Sequence, residues 1–171
     1  MALQSSLCSY RKHQERKRVV KKSLHYTECF EEIIYRIHLL DKNSQAMWGK
    51  MNVCQMMRHC NLVLQVPIRK LELPKINRLF TAIGTITKWE IQIFNNGIPR
   101  NMPTFQKLII NFECDFEEEK ENLLKTLAEY RICFGNKNLP ENHVLFGKMK
   151  EEDWGFLEYK HLHHHLKQFN V

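Results

Sequence analysis

The chain has 171 residues, of which 43% are hydrophobic and 26% are charged. This length suits a single domain that buries a core without disulfide or metal support, and the composition is globular rather than disordered. No apolar run approaches the roughly 20 residues that a membrane-spanning helix needs, so no membrane protein is expected.

The net charge of +7 is concentrated near the start of the chain. Residues 11–22 contain one acidic residue, Glu15, and seven basic ones, namely Arg11, Lys12, Arg16, Lys17, Arg18, Lys21 and Lys22. We predict that residues 1–22 form a poorly ordered basic arm and that residues 23–171 form the folded domain. Only this arm carries enough positive charge to bind the phosphates of a nucleic acid.

The start of the chain lacks the charged flank and apolar stretch of a secretory signal, so we expect a cytoplasmic protein. Its six cysteines form no C-x-x-C pair. In a reducing compartment they are expected to be free thiols, mostly buried as small hydrophobic residues, and disulfides are not expected.

Four segments show the periodicity of amphipathic helices, and none shows convincing strand alternation. The first runs from Thr27, a candidate N-cap, to Leu40. The second follows Asn52, which can form a capping box with Gln55, and ends at Pro67. Their inward stripes are predicted to be Phe30, Ile33, Ile34, Ile37 and Leu40 in the first helix, and Met56, His59, Leu62, Val63 and Val66 in the second.

The third helix is predicted to follow a second capping pair, Asp115 and Glu118, and to stop at Gly135. The fourth is predicted to run from Glu151 to Gln168, with acidic residues in its first turn. The inward residues of the third helix are expected to be Phe116, Leu123, Leu127, Tyr130 and Phe134.

A long connection, about residues 68–111, joins the second and third helices and is punctuated by prolines. Such a length in a compact domain usually contains structure of its own, and Ile76 to Trp89 is a candidate shorter helix. A four-helix bundle with one long crossover between its second and third helices accounts for this order of elements. We therefore predict an all-α fold.

Four of the nine histidines lie within five positions of the fourth helix. At about 100° per residue, His161, His164 and His165 fall on the inward face, whereas His163 falls on the outer one. Imidazoles at core positions cost stability unless their nitrogens are satisfied, which a metal ion can do. His161 could share one ion with His165 at i, i+4 or with His164 at i, i+3. His59, on the inward stripe of the second helix, is the predicted third ligand.

Two other interpretations compete with a single metal ion. A hydrogen bond to a carbonyl or carboxylate would explain His59 on its own. A di-iron bundle needs two Glu-x-x-His motifs, and Glu158 with His161 supplies only one. The histidines predicted to lie on the surface are His13, His25 and His38.

Several motifs resemble the DinB/YfiT-like superfamily of proposed metalloenzymes, and specifically a branch that is a domain of unknown function. They are Met47–Met51, Pro99–Thr104, Asn142–Gly147, the Gln55–Cys60 stretch that contains His59, and the histidine-rich Tyr159–Phe169. The resemblance covers about residues 27–171. One departure is a valine at position 144, where that branch usually has proline.

The resemblance implies a four-helix bundle in which one histidine of the second helix and an i, i+4 pair of the fourth bind nickel or zinc. In this chain those ligands are His59, His161 and His165. Three neutral imidazoles leave coordination positions open, as in catalytic rather than structural sites. The resemblance also implies transfer chemistry with a low-molecular-weight thiol as cosubstrate.

The expected function is therefore that of a metal-dependent, thiol-using S-transferase acting on a small-molecule substrate. His164 and Gln168 would orient ligands or substrate, and His143 would be a candidate proton carrier. A metal-assisted hydrolase and a non-catalytic, stress-linked metal-binding protein are the alternatives. We expect no membrane partner, and we expect nucleic acid to bind, if at all, only through the basic arm. A homodimer is a further expectation.

Overall fold

A computed structural model describes residues 21–95 and 97–171. The prediction of a mostly helical chain is confirmed, because five α-helices account for most of this part of the chain. They are α1 (Thr27–His38), α2 (Val53–Gln65), α3 (Arg78–Phe94), α4 (Phe116–Gly135) and α5 (Glu151–Gln168). A short 3₁₀ helix covers Gln106–Leu108, and an antiparallel pair of two-residue strands, β1 (Asn142–His143) and β2 (Gly147–Lys148), precedes α5. This small hairpin was not predicted.

The helix starts follow local hydrogen bonding. The predicted capping box of α2 is confirmed, since the Gln55 amide donates to Asn52 Oδ1 at 2.8 Å and the Asn52 amide donates to Gln55 Oε1 at 3.0 Å. Asp115 caps α4 by accepting from the Glu118 amide at 2.9 Å. The predicted cap of α1 is wrong, because Tyr26 is the N-cap residue and makes no side-chain capping bond.

Helix α5 has packing partners on more than one side. It packs against α1 and α2, and α2 packs along α4. Because neighbours surround α5, residues on most of its circumference are buried, including Trp154, Phe156, Leu157, Tyr159, Leu162 and Leu166. Such a helix offers interior positions on several faces, so a polar side chain on α5 must find a partner inside the protein.

The predicted inward stripes hold for α1 and α4 and need correction in α2. The buried residues of α1 and α4 include Ile33, Ile37, Leu123, Leu127 and Tyr130. In α2, the predicted Met56 and His59 are buried and Val66 packs against the core, whereas Leu62 and Val63 are only partly buried. The helix also buries Met57, Cys60 and Leu64, which were not predicted. The reason is that α2 contacts both α4 and α5, which turns a broader face inward.

The prediction that all cysteines are free thiols is wrong for one pair. Cys54, in the first turn of α2, forms a disulfide with Cys114, just before the cap of α4. The packing of α2 along α4 brings together two residues separated by 60 positions, which cysteine spacing cannot reveal. Cys29 and Cys60 are buried free thiols, as predicted.

The long connection contains α3, close to where a shorter helix was predicted. Its inner face lies on the loop of the hairpin, where Thr81 Oγ1 donates to the Val144 carbonyl at 3.0 Å and the buried Lys88 ammonium donates to the Lys148 carbonyl. A side chain at Gly84 would collide with Leu145, which explains the glycine there.

Residues 1–20, most of the predicted basic arm, lie outside the described residues. At the end of the arm, the Lys22 ammonium pairs with the Glu32 carboxylate at 2.6 Å. None of the helices in the described residues has both the length and the apolar character needed to cross a membrane.

Candidate metal centre

Helices α2 and α5 bring His59, His161 and His165 together, and we call these residues the three-histidine cluster. Each offers a nitrogen atom, and the three atoms lie within 4.8 Å of one another. The distances between ring centroids are 5.1 Å for His59 and His161, 4.9 Å for His59 and His165, and 4.7 Å for His161 and His165. The lone inward histidine of α2 therefore meets the i, i+4 pair of α5.

Two rings of the cluster are fixed through their outer nitrogens. His59 Nδ1 donates to the Leu108 carbonyl at 2.7 Å, and His165 Nδ1 donates to Gln168 Oε1 at 2.9 Å. A neutral imidazole carries one proton, so a proton on Nδ1 leaves the Nε2 lone pair free in both rings. This is the protonation pattern that metal-bound histidines adopt when a carbonyl supports the outer nitrogen.

The support of His165 extends to the loop before α2. Gln168 Nε2 donates to the Trp48 carbonyl at 2.6 Å, which turns Oε1 of the same amide toward His165. Gly49 has a positive φ of 85°, and a Cβ there would lie 2.6 Å from Gln168 Nε2. Glycine is needed at this position for its backbone conformation and because the amide of Gln168 occupies the space of a side chain.

His161 fits a metal ion better than a simple hydrogen bond. Its Nε2 lies 3.1 Å from His59 Nε2, close to the ~3.3 Å that separates two nitrogens bound tetrahedrally to one zinc ion at about 2.0 Å. A hydrogen bond between these nitrogens would need the proton of His161 on Nε2 and leave Nδ1 as a buried acceptor. Among the described residues, His161 Nδ1 has no partner in either case. A hydrogen bond between His59 and His161 would also leave unexplained why the ring of His165 lies beside theirs.

The cluster is electrically neutral at neutral pH. Burial lowers the pKa of His59, lowers that of His161 well below its ordinary value and lowers that of His165 to about 3. Neighbouring rings add to the effect, because His165, His59 and His164 disfavour a positive charge on His161, and His59 and His164 disfavour one on His165. The rings are therefore unprotonated at their inner nitrogens and can bind a cation without first losing a proton.

Glu158 lies one helical turn before His161 on α5. It is 5% exposed, and its Oε2 atom has no hydrogen-bond partner in the described part of the chain. Burial raises the pKa of this carboxyl group to about 8, so it is mostly protonated at pH 7. The structure does not include Glu158 in the three-histidine cluster.

Trp48, His164 and Arg100 lie beside the cluster, and we call them the rim. The Trp48 ring meets His164 edge-on, with centroids 5.8 Å apart, and His164 meets His165 at 5.0 Å. The Arg100 guanidinium carbon lies 4.1 Å from the centroid of the Trp48 ring. Burial, and then the charge of Arg100, lower the pKa of His164. Within the described ranges, no carboxylate forms an ion pair with Arg100.

His143, the candidate proton carrier, is placed in the hairpin and not in the cluster. Its Nδ1 accepts hydrogen bonds from the amides of Leu145 and Phe146 at 3.0 and 3.2 Å, and its ring packs on Phe146 and Trp154. This nitrogen is occupied in stabilising the turn. Burial lowers the pKa of His143 to about 4.

Two histidines are less exposed than predicted. His25, expected on the surface, stacks on Phe134 with centroids 3.6 Å apart, and its Nε2 lies 2.9 Å from the Tyr130 hydroxyl. His163, expected on the outer face, is partly covered by α1 and accepts a hydrogen bond from Arg36 at 2.8 Å. His38 is exposed, as predicted, and His13 lies outside the described residues.

Sequence reasoning named Gln168 as an orienting group but missed the other supports of the cluster. The partner of His59 is a backbone carbonyl, which carries no signal in the identity of Leu108. Trp48, Gly49 and Arg100 were noticed only within motifs of the resemblance, without a role. A glycine directly after a tryptophan was the available hint, because glycine often marks a close approach of the backbone to another group.

The comparisons with known proteins identify a family without naming an activity. No curated protein and no solved structure matches the chain. The model of one family, described as "Protein of unknown function (DUF1569)", matches residues 19–171, which include the cluster, its supports and the rim. The chain therefore belongs to the DUF1569 family.

Proposed function

We propose that this DUF1569 protein is a metal-dependent enzyme whose divalent transition metal, zinc or nickel, is held by His59, His161 and His165. The observation that carries the proposal is the convergence of three neutral imidazoles from two helices, with His59 and His165 buried and His161 partly buried. Imidazole is a common ligand of both metals. The 3.1 Å approach of the Nε2 atoms of His59 and His161 fits such an ion.

We also propose that the chain has the DinB/YfiT-like architecture. In this view α1, α2, α4 and α5 are the four helices of the bundle, and α3 is an additional helix in the crossover. The packing of α2 along α4 and of α5 against α1 and α2 supports this arrangement. Bundles of this kind commonly place a metal between side chains of facing helices.

An enzyme is favoured over a structural metal site because three protein ligands leave room for a further one. A divalent ion would lower the pKa of a bound thiol or water and make it a nucleophile near neutral pH. The favoured reaction is S-transfer from a low-molecular-weight thiol, and metal-assisted hydrolysis is the alternative. A metal-binding protein without turnover is the non-enzymatic alternative.

The residues around the cluster have distinct roles in this proposal. Gln168 keeps the proton of His165 on Nδ1 and so directs Nε2 inward. His164, half-buried between Trp48 and His165, is the better of the two candidates for moving a proton to or from the substrate. Arg100 holds its guanidinium over the Trp48 ring, which suits it to bind an acidic group of the substrate.

The metal assignment is tested by elemental analysis of untagged protein. We expect one equivalent of metal in the wild type, and loss of most of it in His59→Ala and in His165→Ala, because removing one of three ligands lowers affinity steeply. His38→Ala, which removes an exposed histidine of α1, is the matched control and should retain the metal. Retention of one equivalent by all four proteins would overturn the assignment.

The reaction class is tested on the cobalt-substituted protein. Binding of a thiolate to cobalt gives an intense near-ultraviolet absorption band, and we expect this band on adding glutathione. Absence of the band, together with hydrolysis of an activated ester by the zinc form, would favour the hydrolase. Absence of both would leave the metal-binding role alone.

A further inference from the structure

The outward face of α3 is apolar along its whole length. Leu79, Ile86 and Ile93 recur every seven residues and are 66%, 63% and 71% exposed. Four further large apolar residues of α3 are more than half exposed, namely Phe80, Ile83, Trp89 and Phe94. We call these seven residues the α3 seam. The proposed metal chemistry gives them no role.

The opposite face of α3 is already packed. Gly84, Lys88 and Ile91 are its buried residues, and they lie on the side that contacts the hairpin. The close approach of Gly84 to Leu145 and the hydrogen bond from Lys88 to the Lys148 carbonyl fix the rotation of the helix. The seam therefore cannot turn inward, and burying it requires a second surface.

The spacing of the seam is that of a helix that pairs with another helix. Leu79, Ile86 and Ile93 occupy one position of a seven-residue repeat, and Ala82 and Trp89 occupy the other inward position of a coiled-coil heptad. All five are exposed. A flat or fluid apolar surface would not need this regular spacing.

We propose that the α3 seam is the interface of a homodimer in which two α3 helices pack antiparallel about a two-fold axis near Ile86. Around this axis, Leu79 of one chain faces the copy of Ile93, and Ile83 faces the copy of Trp89. Apolar residues thus meet apolar residues in these pairs and at Ile86 itself, and the small Ala82 faces the copy of Glu90. Such self-complementarity is what a two-fold interface requires, since both chains contribute the same patch.

The area of the seam is large enough for this role. Its three aromatic residues are 58–68% exposed. A large aromatic side chain buries about 150–250 Å², so these three alone offer roughly 300–450 Å² per chain. With the four aliphatic side chains, the face approaches the roughly 800 Å² that each partner contributes to a stable interface.

Two other occupants fit the seam less well. Residues 1–20 carry their large apolar residues in two groups, within positions 1–10 and at positions 19–20, and five lysine or arginine residues between positions 11 and 18 separate them, so they offer no continuous apolar stripe as long as the 17-residue α3. A lipid surface would accept an apolar face of any spacing. The heptad spacing and the match of the seam with its own reversed copy favour a second copy of this chain.

The test is sedimentation velocity of the untagged full chain at micromolar concentration, comparing wild type with Ile86→Lys. The variant places two lysines opposite each other on the axis, so we expect its dimer dissociation constant to rise on the order of 100-fold, as for a central interface residue. Ile132→Lys is the matched control, because Ile132 is 64% exposed on α4. Circular dichroism and metal content should be unchanged in both variants.

Three results would overturn the proposal. A monomeric wild type is the first, including one that dimerises only after residues 1–20 are deleted, which would make those residues the natural cover. The second is equal dissociation by Ile132→Lys. The third is a monomer whose Ile86→Lys variant loses binding to phosphatidylserine-containing vesicles, which would make the seam a lipid-binding face.

Discussion

Two groups of histidines are withdrawn from water in this protein, and they differ in where their nitrogens point. His143 and His25 each use a ring nitrogen within their own neighbourhood, on the amides of a turn and on the Tyr130 hydroxyl respectively. The three-histidine cluster uses its outer nitrogens on supports or leaves them partnerless, and its inner nitrogens converge. Burial lowers the pKa in both groups, so low basicity does not identify a metal ligand. What identifies a metal ligand is the direction of the ring nitrogen that makes no hydrogen bond within the protein.

The largest expected effect concerns Glu158, whose burial without a hydrogen-bond partner should lower the free energy of unfolding at neutral pH. Its pKa is about 8 in the folded chain, against about 4.3 in an unfolded one. Stability that is fully present below about pH 4.3 is therefore lost as the pH rises toward 8, and the loss is about 4 kcal/mol at pH 7. We expect metal-free Glu158→Gln to lack this slope in urea unfolding between pH 5 and 8.

Glu121→Gln, which changes an exposed carboxylate of α4, is the control for that experiment and should keep the slope. Parallel pH profiles of wild type and Glu158→Gln would show that the carboxyl group has a partner in solution. In that case Glu158 would not be an unsatisfied buried group, and the comparison between buried groups with and without partners would apply to the histidines alone.

The second test asks whether support of an outer nitrogen matters for the cluster. Removing the partner of a metal-bound histidine typically lowers metal affinity about 10–100-fold, and we expect this range for Gln168→Ala. Competition with a chromophoric chelator measures the affinity. Gln65→Ala, which removes an amide whose one hydrogen bond within the described residues goes to Asn61 in α2, should bind metal like the wild type. Equal affinities in all three proteins would leave Gln168 a packing residue.

The smallest expected effect concerns the other histidine group. His143→Phe keeps an aromatic ring against Phe146 and Trp154 but removes the acceptor of two amides, so we expect a loss of about 1–2 kcal/mol in the free energy of unfolding at pH 7. Metal affinity should not change. A large fall in metal affinity would place His143 with the cluster after all and erase the distinction between the two groups.

Much of the fold could be predicted because its signals are local. The capping box of Asn52 and Gln55 and the bounds of α5 depend on neighbours within one helical turn. The pairing of His161 with His165 has the same origin, since residues four apart share a helix face. Predicting that His59 joins this pair required a further assumption, namely that an imidazole on the inward stripe of one helix has a polar partner on another helix.

The errors arose where distant segments meet. The stack of His25 on Phe134, the contact of His163 with Arg36 and the disulfide of Cys54 depend on which helices are neighbours. Periodicity shows which face of a helix is apolar but not what covers it. The same limit explains α3, whose apolar spacing is visible in the sequence while its exposure is not.

The carbonyl of Leu108 has a consequence for how this centre tolerates change. Because the main chain, not a side chain, orients His59, substitutions at position 108 should leave the ring in place. Adding or deleting one residue nearby would move the acceptor by about 3.5 Å and release the ring. The orientation of His59 is thus independent of the side chain at position 108, although burial favours an apolar residue there, and it is intolerant of changes in length, so gaps among relatives should avoid that stretch of the crossover.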